Sequence, residues 1–200
     1  LMHRVTAPEN GISESITGSV ITALNEEAVV CAALGNKGGI NLSVTYEAFA
    51  VKMLGAIRQE VIFAANQTIA NKEPRWLSVP VIVTSHTWEN GKNEHSHQDT
   101  TFAEALLGEN SYHCRVLFPA DANSAQFALN SLYQTQGKIF CLVVPKNKIA
   151  NVFNEKDSKT LWEEGVVIVK DADSPQFILT AIGAYQLEEA NFAMQILAEK

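Results

Sequence analysis

Two hundred residues with 46% apolar and 18% charged side chains suffice to bury one full core, so a single domain spanning residues 1–200 is expected. A net charge of −7 argues against a nucleic-acid surface, and the longest unbroken apolar stretch, residues 28–34, is far short of a membrane span. The opening residues carry no secretory pattern, and Cys31, Cys114 and Cys141 are scattered through apolar segments, so reduced core thiols of a cytoplasmic protein are expected.

In chain order, residues 1–24 are punctuated by Pro8 and Gly11. Asn25 is placed to cap a helix that begins at Glu26 and Glu27 and runs to Gly35. Both carboxylates suit the positive end of that helix, which is the plain structural account of them. Residues 40–46 read as a short β-branched strand. A long helix over 47–71 follows, with Phe49, Met53, Ile57 and Val61 on its apolar stripe and Pro74 beyond its end. Residues 77–83 form a continuous apolar run of the kind buried in a parallel sheet.

Past a polar loop come a helix over 101–107 and a strand over 115–118. A helix over 125–133, capped by Asn123 or Ser124, leads to a buried strand over 138–144 that ends at Pro145 and Lys146. Residues 147–164 read as a polar connection with a short helix near Trp162. Two further strands over 165–169 and 177–182 and a last helix over 186–199 complete the pattern. Strands alternating with helices predict an α/β fold: a doubly wound, mainly parallel sheet of five or six strands with helices on both faces.

The loop after the apolar run, residues 84–99, reads TSHTWENGKNEHSHQD. Polar groups gathered past the C-terminal end of a parallel strand face a ligand crevice or plain solvent, and composition alone does not choose between them. His86, His95 and His97 invite a metal reading, but no Asp, Glu or Cys at ligand spacing completes the set. Tyr46 and Phe49 are spaced as a core pair or as a platform for a flat ligand. His3 and His113 carry no signal.

Order within the loop is more telling. Ser85, His86, Trp88, Asn93, Ser96, His97, Gln98 and Asp99 fall, without a gap, on the positions of the loop SHxWRQDHNGFSHQDP, so the chain resembles the phosphoketolases. Tyr46-Glu-Ala-Phe49 is similar to the SYEAF stretch of that family, Phe118-Pro-Ala-Asp-Ala-Asn123 to its LPPDAN, and Leu24-Asn-Glu-Glu27 to its LSEH once two residues are taken as missing near Lys37. Transketolases carry a more distant version of the loop.

The resemblance covers the middle domain of three, which in that family binds the aminopyrimidine of thiamine diphosphate. It implies cleavage of xylulose 5-phosphate or fructose 6-phosphate with inorganic phosphate, giving acetyl phosphate and an aldose phosphate. Glu26 would be the acid facing N1' of the pyrimidine, with Glu27 as its competitor, and such an acid belongs in apolar surroundings. Phe49 would stack on the pyrimidine and Tyr46 would face the reacting carbons. Asn93 and His97 would handle the substrate hydroxyls and the water lost, since an imidazole can shuttle protons near neutrality.

Lys92 and Lys146 would contact phosphate as point charges. Departures gather around Lys92: Glu89, Asn90 and Glu94 replace Arg, Gln and Gly of the family pattern, adding negative charge where a sugar phosphate enters. No metal ligand is assigned within this chain. Mg2+ and the diphosphate would be held by an N-terminal partner domain bearing a GDG…N motif. A homodimer is expected, and the 200 residues alone are expected to be inactive. A transketolase-like carbon–carbon transferase and a non-catalytic regulatory or assembly domain of the same fold are the alternatives.

Overall fold

A computed structural model describes residues 2–3, 21–22, 24–84 and 99–198. Its centre is a four-stranded, all-parallel sheet. After a small antiparallel pair, β1 (Met2–His3) with β2 (Ile21–Thr22), helix α1 (Glu26–Gly35) leads into β3 (Ser43–Tyr46). Helix α2 (Glu47–Ala50), a 3-10 turn over Val51–Met53 and helix α3 (Leu54–Ile69) return the chain to β4 (Val79–Thr84). Then come α4 (Thr101–Leu107), β5 (Cys114–Leu117), α5 (Ala122–Leu132), β6 (Ile139–Val143), α6 (Glu155–Glu164) and α7 (Ala184–Ala198). The spatial order is β3-β4-β6-β5, so β4 and β6 are the inner strands.

The alternation of side chains along β6 shows why both faces need helices. Ile139, Cys141 and Val143 join Val81 and Val83 in one core, with Val30 of α1, Ile57 of α3 and Phe102 of α4. Phe140 and Leu142 point the other way, into a second core with Leu132 of α5 and Trp162 of α6. Each such fully buried side chain contributes about 1.5–3 kcal/mol relative to exposure. An inner parallel strand is apolar throughout for this reason, and the sheet is doubly wound as the sequence predicts.

Several expectations need correction. The helix expected over 47–71 is divided by the 3-10 turn. The cap of α5 is Asp121, not Asn123 or Ser124: Asp121 is extended and accepts the Ser124 amide at 2.8 Å, while the Ser124 hydroxyl returns to the Asp121 amide. Asn123 instead donates to the Phe153 carbonyl at 2.7 Å. The short helix near Trp162 is the whole of α6, begun by an Asn154–Asp157 capping box and ended by Gly165 in the left-handed region.

Residues 165–169 and 177–182 are not strands, and among the described residues the parallel sheet has four members where five or six were expected. Their apolar pattern gives them a preferred face but no neighbouring strand to complete a ladder, and Ile168 and Ile178 stand 73% and 85% exposed. Among the thiols, Cys114 and Cys141 are buried as expected, but Cys31 lies on the outer side of α1 and is exposed. None of the helices described is long and apolar enough to cross a membrane.

Candidate functional site

In a doubly wound sheet, ligands bind beyond the carboxyl ends of the strands where the connections diverge to opposite faces. That point lies here between β4 and β6: α4, which follows β4, packs on one face, and α6, which follows β6, packs on the other. The strands end nearly level. Tyr46 is in register with Thr84, Val83 with Val143, and the Val144 amide donates to the Val83 carbonyl at 3.0 Å.

Tyr46 closes β3 and Lys146 lies just past β6, so the two flank the end of β4. The Lys146 ammonium reaches across it to sit 3.9 Å from the centroid of the Tyr46 ring. Tyr46 in turn stacks with Phe49 of α2, centroids 6.1 Å apart and planes 28° from parallel. One helical turn further, the Lys52 ammonium lies 5.3 Å from the Phe49 centroid. The same ammonium pairs with Oε2 of Glu26 at 3.0 Å. Glu26, Tyr46, Phe49 and Lys146 are therefore brought into one continuous line along the carboxyl edge of the sheet, from α1 to the segment after β6.

Helix α1 separates the two neighbouring carboxylates. Glu26, Val30 and Leu34 repeat at i, i+4 and i+8, and both apolar members are buried. Glu26 therefore continues the inward stripe to the helix start, and its side chain is 20% exposed. Glu27 is exposed to solvent. Asn25 anchors this corner, its Oδ1 accepting the Glu27 and Ala28 amides. The surroundings of Glu26 differ from the apolar pocket expected: its partner is an ammonium.

Sequence reasoning passed over Lys52 and Glu47. Lys52 interrupts an otherwise apolar stretch at the 3-10 turn, and that interruption was the available signal. Glu47, directly after Tyr46, is 3% exposed. Burial, with smaller contributions from the Cys114 thiol and the Glu47 carboxylate, pushes the Cys141 thiol well up from its ordinary value, so Cys141 stays protonated beneath the site. Lys92, Asn93 and His97 lie outside the described residues. Asp99, the last loop position of the sequence pattern, is described: hydrogen bonds from the Thr101 hydroxyl and amide hold its carboxyl below the usual range at the start of α4. Among the described residues, no group of three or more His, Cys, Asp or Glu is placed to hold a metal ion.

Residues 2–135 match the family described as D-xylulose 5-phosphate/D-fructose 6-phosphate phosphoketolase. The chain belongs to that family. A xylulose-5-phosphate phosphoketolase of Lactiplantibacillus pentosus is 24% identical over 165 residues, which are 80% of this chain and 21% of the relative. A probable phosphoketolase of Bradyrhizobium diazoefficiens is 25% identical over 146 residues, 64% of this chain and 18% of the relative. The corresponding protein of Brucella abortus is 23% identical over 147 residues, 64% of this chain and 19% of its own length. The chain thus spans about a fifth of the length of these phosphoketolases. The matched family region takes in Glu26, Tyr46, Phe49, Lys52 and the loop over 84–99, and it ends before Lys146.

Proposed function

We propose that this chain is the pyrimidine-binding domain of a thiamine diphosphate-dependent phosphoketolase, a lyase cleaving xylulose 5-phosphate or fructose 6-phosphate with phosphate to acetyl phosphate and an aldose phosphate. The observation that carries the reading is the line Glu26–Lys52–Phe49–Tyr46–Lys146 along the carboxyl edge of the sheet. Its donor set fits an aminopyrimidine: an aromatic side chain suits a flat heteroaromatic ring, and a half-buried carboxylate suits a ring nitrogen. When bound, the cofactor supplies a carbon nucleophile for a ketose carbonyl.

The chain's own residues supply the rest. Glu26 holds the proton shared with N1'. Phe49 fixes the plane of the ring, Tyr46 faces the reacting carbons, and Lys146 attracts phosphate. Lys92, Asn93 and His97 of the loop complete the substrate side, with His97 moving protons. Mg2+ and the diphosphate are held by an N-terminal domain of the longer protein, which works in the cytoplasm as a homodimer.

A second reading, a non-catalytic assembly domain, is favoured by one feature: Glu26 faces an ammonium where an apolar pocket was expected. Acetyl phosphate formation separates the two. The full-length protein, given either sugar phosphate, inorganic phosphate and thiamine diphosphate, is expected to form acetyl phosphate, trapped as its hydroxamate, while the 200-residue chain alone forms none. A full-length protein that binds thiamine diphosphate but yields no acetyl phosphate from either sugar would overturn the enzymatic reading.

A further inference from the structure

We propose that Lys52 is a positioning residue for Glu26, holding its carboxylate in the one orientation that presents the other oxygen to a pyrimidine nitrogen. This rests on the pyrimidine-site reading above and adds to it a residue that the loop pattern does not contain.

The geometry begins with the 3-10 turn. Three residues per turn place positions i and i+3 directly above one another. Phe49, in the last turn of α2, precedes Lys52 of the 3-10 turn by three residues, and the Lys52 ammonium lies 5.3 Å from the Phe49 ring. Met53, the next residue, is wholly buried and fixes the turn against the core. From this anchored turn the ammonium reaches Glu26 Oε2 at 3.0 Å. Lys52 engages Oε2, and a carboxylate accepts on both oxygens, so Oε1 is the oxygen to offer a ligand. A contact to Oε2 from one side and helix α1 from below leave the Glu26 side chain little rotational freedom.

The competing account is an ordinary surface ion pair. Lys52 is about half exposed, and ion pairs of that kind contribute little to stability. The two accounts therefore agree that removing Lys52 barely affects folding and disagree about ligand binding.

The test is calorimetric titration of thiamine diphosphate with Mg2+ into the full-length protein, its Lys52→Met and Lys52→Arg variants, and a Phe49→Ala control. Lys52→Met is expected to bind about three- to tenfold more weakly, the range set by re-immobilising one side chain on binding, with an unchanged melting temperature. Lys52→Arg should recover most of the loss. The gap between wild type and Lys52→Met should narrow between about 0.05 M and about 1 M salt, because a half-exposed pair is screened.

Equal affinities for wild type and Lys52→Met, beside a clear loss in Phe49→Ala, would overturn the role of Lys52 and leave the pyrimidine site standing. Wild-type protein that does not bind thiamine diphosphate would overturn both. A loss in Lys52→Met that Lys52→Arg does not recover, and that salt does not alter, would assign the effect to packing and also end the proposal.

Discussion

Two carboxylates stand at helix starts along the same edge of the sheet, and they are treated in opposite ways. Asp121, at the start of α5, is 5% exposed, and its two oxygens are fully engaged. Oδ1 accepts the Ser124 amide and hydroxyl, both at 2.8 Å, while Oδ2 accepts the Val152 and Phe153 amides at 2.8 and 2.7 Å. Glu26, at the start of α1, has Lys52 on one oxygen. Asp121 ties the segment before α6 to the end of β5, and nothing remains on it for a ligand. The contrast teaches that a carboxylate consumed by its own chain is a structural bolt, and one held by a single flexible cation is placed for use. That distinction is available only from three-dimensional contacts, since both residues look alike as helix-start acids.

The comparison is broken most sharply at Glu26. In the full-length protein, Glu26→Gln should leave folding intact and slow hydrogen–deuterium exchange at C2 of the bound cofactor, followed by NMR. The size expected is about 10²–10⁴-fold, or about 3–5 kcal/mol of barrier, the range for one acid–base group. Glu27→Gln should exchange as wild type does, because Glu27 is exposed to solvent. Equal rates in wild type and Glu26→Gln would remove Glu26 from the chemistry. A slow Glu27→Gln beside a normal Glu26→Gln would show that the alignment to the phosphoketolase pattern is shifted by one position.

Asp121 should behave in the reverse manner, costing stability and leaving exchange at C2 untouched. Burial works to raise its pKa. The Phe153 and Ser124 amides, the Ser124 hydroxyl and the Val152 amide outweigh that burial, so the folded-state value lies below the ordinary one. A depressed value means that this stabilisation is complete above the unfolded pKa of about 3.9 and is lost as pH falls through the lower folded value. Asp121→Asn presents an NH₂ group where the chain needs an acceptor and should cost about 1–3 kcal/mol at pH 7. Urea unfolding at a series of pH values should show the two proteins converging below about pH 4. A constant gap between them down to strongly acid pH would deny the carboxylate its charged role.

The same contrast explains how much was legible in the sequence. Apolar runs at 77–83 and 138–144 announce inner parallel strands because such strands are buried on both faces, and β4 and β6 lie there. The start of α1 was legible because Asn25 and two first-turn acids are local signals. Asp121 as the cap of α5 was misplaced by two or three residues, because Asn123 and Ser124 are equally good capping types and the choice depends on Val152 and Phe153, about thirty positions on. The strands expected over 165–169 and 177–182 failed for a related reason: alternation states which face is apolar but names no neighbour. At the site, the resemblance to the phosphoketolase motifs singled out Glu26, Tyr46, Phe49 and Lys146, which residue type alone would have left as ordinary core or surface groups, and the fold brings them together. Lys52 was missed because a lysine in a helix-like stretch reads as solvated until its distance to Glu26 is known.

The smallest effect is expected at Lys146, where the comparison is sharpened, not broken. Its ammonium lies 3.9 Å from the Tyr46 centroid, and Lys146 is exposed. A cation over a ring at an exposed site is worth about 0.5–1 kcal/mol. For a domain of this size that corresponds to about 1–4 °C in melting temperature, so Lys146→Met should be nearly silent in a thermal scan. Its kinetic effect separates packing from recognition. If Lys146 attracts phosphate in the full-length protein, the KM for inorganic phosphate should rise about two- to tenfold, the worth of one net hydrogen bond, with kcat little changed. Removing uniform binding raises KM in this way, whereas loosening Tyr46 against the reacting carbons would lower kcat instead. A fall in kcat with an unchanged KM for phosphate would therefore reassign Lys146 from phosphate contact to support of the Tyr46 ring, and the phosphate site would have to be sought among Lys92 and its loop.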